Sequence, residues 1–141
     1  MKKITFTLLV IIITISIESC QLKNSVTNPV TQVTVKNIRM VANMISSSFA
    51  PKAVITYSSN SGDNVQVQQL TLDLTESLPI GFKASLSGTC DGNYNLVGNQ
   101  SSAAIDLKIY VNDTLKAEAN DLKTDPSSLV TATASCSYLI K

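Results

Sequence analysis

The sequence contains no histidine and no tryptophan. Without histidine, the chain lacks the commonest general base, the commonest transition-metal ligand and the side chain that titrates near neutral pH. Its serines have no imidazole to activate them, and no Ser-x-x-Lys arrangement offers a lysine instead. We therefore predict that the protein is not an enzyme and that it holds no metal or cofactor.

Charged residues are few and balanced. They make up 15% of the chain, and 11 lysines and arginines against 10 aspartates and glutamates give a formal net charge of +1. No basic cluster follows Lys3. Because nucleic acids and anionic membrane surfaces are bound by concentrated positive charge, we predict no nucleic-acid partner and no polybasic membrane patch.

The longest apolar run lies at the N-terminus. A basic start at Lys2-Lys3 precedes the run Ile4 to Ile17, which is shorter than the roughly 18 to 20 residues that span a bilayer. The run ends in Ile17-Glu18-Ser19-Cys20, which resembles the bacterial lipobox, in which the cysteine is acylated and becomes the mature N-terminus. We predict a lipoprotein signal peptide over residues 1–19, with Cys20 as the lipid anchor. An ordinary signal peptide is the alternative, since the glutamate is unusual in a lipobox.

Residues 20–31 are polar and include the turn pair Asn28-Pro29, a composition typical of a flexible tether. We expect this segment to link the anchor to a single domain over residues 32–141.

The domain alternates apolar and polar residues with a period of two, the pattern of half-buried strands. The clearest case is Val130 to Ile140, where apolar residues alternate with serine and threonine. Further strands are predicted at 53–57, 65–74, 82–90 and 103–111, with segments of turn composition between them. About seven or eight short strands at this spacing predict an all-β fold, a sandwich or a barrel.

The segment 33–45 fits two structures. Val35, Ile38 and Ala42 have the spacing of one helix face, whereas alternate apolar residues fit a strand with a bulge near Lys36-Asn37. The all-β context favours the strand.

One hairpin allows a register to be predicted. A three-residue loop over Asn112 to Thr114 pairs Val111 with Leu115, so that the apolar side chains of both strands share one face. A two-residue turn at Asn112-Asp113 would place Ile109 opposite Lys116 and mix the two faces. We therefore predict the three-residue loop.

The same register predicts which side chains are exposed. It places Lys108 opposite Glu118 and turns Tyr110 outward beside Lys116. Tyr110, Lys108 and Lys116 are therefore candidate contacts for a partner. Thr114 lies in the loop within Asp-Thr-Leu, which resembles a short O-glycosylation motif of secreted Bacteroidetes proteins, and it is a candidate glycosylation site.

Two cysteines remain once Cys20 is assigned to the lipid. Cys90 and Cys136 each fall on the apolar face of a predicted strand. Exported proteins meet an oxidising environment, so we predict a disulfide between them. Two buried free thiols are the alternative.

The segment after Cys90 has one ligand-like pattern. Asp91, Asn93 and Asn95 have the alternate oxygen spacing that opens a calcium loop, but Leu96 stands where that loop needs glycine and Ser102 where it needs glutamate. We predict a polar turn, with a weak calcium site as the alternative.

The order of several short segments resembles the extracytoplasmic domain of MmpS-type proteins, over roughly residues 30–140. These segments are Ala53-Val54-Ile55-Thr56-Tyr57, Ser61-Gly62, Leu78-Pro79 leading into 82–87, 105–113 and 132–136. The resemblance implies an immunoglobulin-like antiparallel β-sandwich and an accessory role beside an RND-type envelope exporter. The chain departs from that pattern at Ile80, where a tryptophan is usual, and at Asp113-Thr114, which replaces Asp-Gly.

These observations predict a non-catalytic, lipid-anchored binding module of the cell envelope that docks to an envelope protein. We expect it at the outer membrane, on the periplasmic or the surface side. The alternative is a cell-surface lipoprotein that binds a ligand or glycan through the loops at 58–64 and 91–95.

Overall fold

The computed structural model describes residues 33–93 and 100–141. Within these residues the chain forms eight strands and no helix. The strands are β1 Val35–Ser46, β2 Ala53–Ser58, β3 Asn64–Val67, β4 Thr71–Pro79, β5 Lys83–Gly92, β6 Ser101–Val111, β7 Thr114–Asp125 and β8 Val130–Leu139. The predicted signal peptide (1–19), the lipidation site Cys20 and the tether (20–31) lie outside the described residues.

The strands form two antiparallel sheets of four. Sheet A has the order β4-β1-β6-β7 and sheet B the order β3-β2-β5-β8. The sheets pack face to face and enclose one hydrophobic core. The predicted immunoglobulin-like antiparallel β-sandwich is therefore confirmed.

The core follows from the period of two on the central strands. On β6 every second residue from Ala103 to Val111 is buried, and on β1 the same holds from Ile38 to Met44. Removing a leucine or isoleucine side chain from water stabilises the fold by about 1.5–3 kcal/mol. Phe82 and Tyr138 pack against this core, as their apolar stripes indicate.

The ambiguous N-terminal segment is a strand without a break. β1 pairs with β4 from Val35 to Asn43 and with β6 from Ile38 to Ser46 in continuous register. The predicted bulge near Lys36-Asn37 is therefore wrong. A strand that is hydrogen-bonded on both sides needs an extended backbone along its whole length, which excludes the helix as well.

The predicted strand at 65–74 is divided between the two sheets. β3 ends at Val67 in sheet B, β4 begins at Thr71 in sheet A, and residues 68–70 cross between them. β4 then continues through Glu76 to Pro79, a stretch whose composition predicts a turn. Proline is tolerated at this place because β4 is an edge strand.

The connection between β6 and β7 is a two-residue turn at Asn112-Asp113, not the three-residue loop predicted from the sequence. Val111 pairs with Thr114, and both turn residues have a positive φ, 47° at Asn112 and 61° at Asp113. This left-handed pair is the turn whose twist matches that of an antiparallel hairpin. The predicted three-residue loop is wrong.

A bulge restores the predicted pairing beyond the turn. Tyr110 pairs with Leu115 and Ile109 with Ala117, so Lys116 is the extra residue of β7. The pairing of Ile109 with Ala117 is confirmed. Leu115, predicted to face the core, lies opposite the outward Tyr110 instead and is 42% exposed.

The predicted disulfide between Cys90 and Cys136 is wrong. Cys136 pairs with Leu86, and Cys90 stands four residues further along β5, opposite Ala132. At roughly 3.3 Å per residue, this offset separates the two cysteines by about 13 Å, whereas a disulfide needs Cα atoms within about 7 Å. Both are free thiols, Cys90 buried and Cys136 partly buried.

Two glycines of β5 bring the sheets close together. A Cβ atom at Gly88 would clash with the terminal methyl of Met44 on β1. A Cβ atom at Gly92 would clash with the backbone carbonyl of Ser102 on β6. Met44 can turn its methyl away, but the carbonyl is held in place because it accepts a hydrogen bond from the Ser47 amide (N···O 3.0 Å).

Alanine at these glycines is expected to destabilise the domain to different degrees. Gly92→Ala should lower the free energy of unfolding by about 3 kcal/mol or more, because its Cβ would clash with rigid backbone. Gly88→Ala should lower it by about 1–2 kcal/mol, because its Cβ would clash with the flexible side chain of Met44. Urea unfolding of the purified protein measures both values. Ser87→Ala, on the outer face beside Gly88, is the control and should change little. Equal effects at the two glycines would contradict this packing.

The thiols are expected to be reduced and slow to react in the folded protein. Burial raises the pKa of Cys136 to about 11, and burial together with Asp91 raises the pKa of Cys90. A raised pKa leaves little thiolate at pH 8, so native alkylation by iodoacetamide should be slow there and accelerate towards pH 11. Mass spectrometry should show both thiols alkylated after unfolding without a reductant. If the two thiols were labelled only after treatment with a reductant, a disulfide between them would be present after all.

Candidate functional site

The outer face of sheet B carries short hydroxyl side chains. In the register of β5 with β8, Ser85 lies beside Ser137, Ser87 beside Ser135, and Thr89 opposite Thr133. A shallow depression of about 290 Å³ lies among these serines. Neither an aromatic ring nor an arginine occurs on this face in the described strands, and its large exposed side chains include Lys83 and Leu139, which are neighbours at one end of the face. The face therefore lacks the residue types that most often anchor a protein partner.

The outer face of sheet A differs because it carries the only arginine of the sequence beside an aromatic ring. Arg39 of β1 pairs with Tyr110 of β6, and the guanidinium carbon lies 5.9 Å from the centre of the tyrosine ring. This distance is within the range of a cation–π contact, which contributes about 0.5–1 kcal/mol at an exposed site. Tyr110 is thus on the exposed face, as predicted, and half-buried by its neighbours.

A two-point ion pair fixes the arginine. The Nε of Arg39 donates to Oδ1 of Asp73 at 2.8 Å, and Nη2 donates to Oδ2 at 2.5 Å. These hydrogen bonds, and then the opposite charge, raise the pKa of Arg39 and lower that of Asp73. Both groups are exposed, so the pair adds little to stability. Its effect is to hold the guanidinium in one orientation over Tyr110.

Lys108, another predicted contact, lies one row further along this face. It pairs with Glu118 of β7, which confirms the predicted register. Its ion pair is with Asp106 of the same strand, at 2.6 Å. The hydrogen bond to Asp106, followed by its charge, raises the pKa of Lys108.

The remaining predicted residues lie at the hairpin. Lys116 is the exposed extra residue of the bulge, at the edge of the sheet. Thr114 is the first residue of β7 and is exposed, so it is accessible to a glycosyltransferase. The structure thus brings Tyr110 and Lys108 onto one face and places Lys116 and Thr114 at its rim. Glycosylation of Thr114 stays a prediction.

A polar depression that was not predicted from the sequence lies at the hairpin end of this face. It has a volume of about 370 Å³ and is lined by Asn37, Arg39, Thr75, Asn112 and Asp113. The single arginine and the unusual Asn-Asp turn were the signals that could have identified it.

An apolar row crosses the opposite end of the same face. Ile45, Ala104 and Leu122 are neighbours on β1, β6 and β7. Ile45 is 70% exposed and Leu122 is 68% exposed. Isolated exposed apolar residues are common, whereas three in a row across adjacent strands form a continuous patch.

The loops at 58–64 and 91–95, the predicted contacts in the alternative of ligand binding, have polar groups that bond within the protein. In the 58–64 loop the polar groups bond to one another: Ser59 Oγ lies 2.6 Å from Ser61 Oγ, and Ser61 donates to Asp63 at 3.1 Å. In the second loop, Asp91 accepts a hydrogen bond from Thr131 at 2.9 Å, and Asn95 lies outside the described residues. The described part of the chain contains no group of three metal-ligating acidic or cysteine side chains.

The exposed edge of β8 is partly closed by a side chain. The carboxylate of Asp121, on β7, accepts a hydrogen bond from the backbone amide of Thr133 at 2.9 Å. That bond, followed by the hydrogen bond from Lys123, lowers the pKa of Asp121. A free edge amide is a pairing site for another strand, so Asp121 blocks strand addition at this point.

A further depression, of about 570 Å³, lies elsewhere. It separates the start of β2 from the β3–β4 connection and is lined by residues 51–54 and 68–70. It contains none of the predicted contact residues.

Comparisons with protein-family models, with curated proteins and with solved structures gave no match. The parts of the chain that the structure describes contain no helix able to cross a membrane.

Proposed function

We propose that the protein is a non-catalytic, lipid-anchored module of the cell envelope that docks to a protein partner through the outer face of sheet A. The observation that carries this proposal is the pair of Arg39 and Tyr110, held by Asp73 and flanked by the exposed Leu115. Tyrosine and arginine are among the residue types enriched in protein interfaces and their binding hot spots.

The fixed geometry of this pair favours binding. A free arginine loses rotamer entropy when a partner immobilises it, which weakens association. Arg39 is already oriented by two hydrogen bonds to Asp73. Tyr110 is half-buried between neighbouring strands, and its large, rigid side chain has only two rotatable bonds to order. Less entropy is therefore lost on docking than at a flexible surface.

The rest of the outer face of sheet A extends the surface that a protein partner could cover. The apolar row of Ile45, Ala104 and Leu122 lies on the same side of the sheet as the Arg39–Tyr110 pair. Lys108 and Asp106 stand between them as an ion pair. Apolar patches with polar surroundings are typical of protein interaction surfaces, whereas the described strands of sheet B have no comparable apolar row on their outer face.

The location follows from the sequence rather than from the fold. The lipobox-like segment supports an anchor at Cys20 and an envelope location, with the outer membrane favoured, on the periplasmic or the surface side. The MmpS-like resemblance adds an accessory role beside an envelope exporter.

Site-specific photo-crosslinking in cells tests the docking face. A photoreactive residue in place of Leu115 is expected to give one discrete protein adduct, because Leu115 lies beside Tyr110. Tyr110→Ser should reduce the adduct yield by about tenfold or more, in line with a hot-spot tyrosine.

The same photoreactive residue in place of Ser135, on the outer face of sheet B, is the matched control and should give no discrete adduct. Circular dichroism should show that Tyr110→Ser remains folded. An adduct from Ser135 alone, or a yield that Tyr110→Ser leaves unchanged, would overturn docking through sheet A.

The anchor is tested by metabolic labelling with an alkyne fatty acid. The wild-type protein should be labelled and should have Cys20 as its mature N-terminus, whereas Cys20→Ser should be unlabelled because it lacks the acylated thiol. Cys136→Ser is the matched control and should label like the wild type. A labelled Cys20→Ser protein, or an unlabelled wild type, would contradict the lipoprotein assignment.

A further inference from the structure

The depression at the hairpin offers both donors and acceptors to a ligand. Arg39 has more N–H groups than the two that bond Asp73. Asn37 accepts a hydrogen bond from Ser77 through Oδ1 at 3.2 Å, which leaves its amide hydrogens free to donate. Within the described part of the chain, the side chains of Asn112 and Asp113 form no hydrogen bond.

The charge around the depression disfavours an anionic ligand. Among the described residues Arg39 is the only cation that lines it, and Asp73 already forms its ion pair. The carboxylate of Asp113 also lies close enough to act on the Arg39 charge. One positive group therefore faces two negative ones, so a phosphate or carboxylate would meet net repulsion.

Asp113 stands where the backbone favours glycine. Its φ of 61° is in the left-handed region, and the second position of this turn type strongly prefers glycine. Aspartate is among the few residues other than glycine that adopt this conformation, but it is less stable there than glycine. Its carboxylate lines the depression, where glycine would contribute no acceptor.

We propose that this depression is a binding site for a neutral saccharide. Planar carboxylate, amide and guanidinium groups match the paired hydroxyls of a sugar, and Asp113, Asn37 and Arg39 supply one of each. The volume of about 370 Å³ falls within the roughly 300–1,000 Å³ of small-molecule sites. This function is additional to the docking of a protein and does not rest on it.

The substitution Asp113→Gly separates the stability of the domain from ligand binding. Removal of the left-handed aspartate should raise the melting temperature by about 3 °C. The same change removes the acceptor and should weaken saccharide binding at least tenfold. The protein is the lipidated full chain, purified in a detergent without a sugar headgroup, and the probes are maltotriose, cellobiose and chitobiose. Amide NMR shifts measure binding.

At least one of these saccharides should perturb the amides of residues 37, 39, 112 and 113 in the wild-type protein. Asn37→Ala should weaken binding as well. Glu118→Gln removes a carboxylate from the same face but outside the depression, so it is the matched control and should bind normally.

Four results would overturn the proposal: no perturbation by any of the three saccharides, perturbation only at other residues, unchanged binding in Asp113→Gly, or perturbation by phosphate or Ca²⁺ alone. A lower melting temperature in Asp113→Gly would show that the aspartate is structural. The photo-crosslinking yield from Leu115 in Asp113→Gly distinguishes this proposal from docking, since it should be unchanged when only saccharide binding is lost.

Discussion

The approach of sheet B to sheet A depends on two inward positions of β5 that carry no side chain. Gly88 accepts the end of Met44 from β1, and Gly92 accepts the backbone of β6 at Ser102. The sheets can therefore approach at both places without an unfilled gap, and protein cores tolerate few gaps. The inner faces of β1 and β6 consequently become buried along nearly their whole length. The outer faces of the same strands are then left to meet solvent or a partner.

The outer faces of sheets A and B carry different kinds of side chain. Serine and threonine on sheet B suit strand geometry and remain hydrated, which keeps that face inert. On sheet A, the central strands place Arg39 and Tyr110 side by side and give the arginine a fixed partner in Asp73. The edge of β8 is meanwhile closed at Thr133 by Asp121. Recognition through a sheet face therefore fits this structure better than strand addition at that edge.

Alternation predicted the fold class because a period of two specifies which face each residue occupies. It assigned Cys90 and Cys136 to the inner side, and both are at least partly buried there. Alternation does not specify how far neighbouring strands are shifted along each other, and that shift separates the two thiols. It also overlooked the crossing between sheets at residues 68–70, since both flanking strands continue the same pattern.

The proposed docking face was predictable only within one hairpin. Tyr110 and Lys108 follow from the register of β6 with β7, which is local in sequence. Arg39 joins them through the pairing of β1 with β6. This contact is between distant parts of the chain, and no short sequence motif predicts it. The bulge at Lys116 was missed because the register argument assumed an uninterrupted ladder. One extra residue lets a tight turn coexist with apolar pairing beyond it, and the tight turn is what places the Asp113 carboxylate beside Arg39.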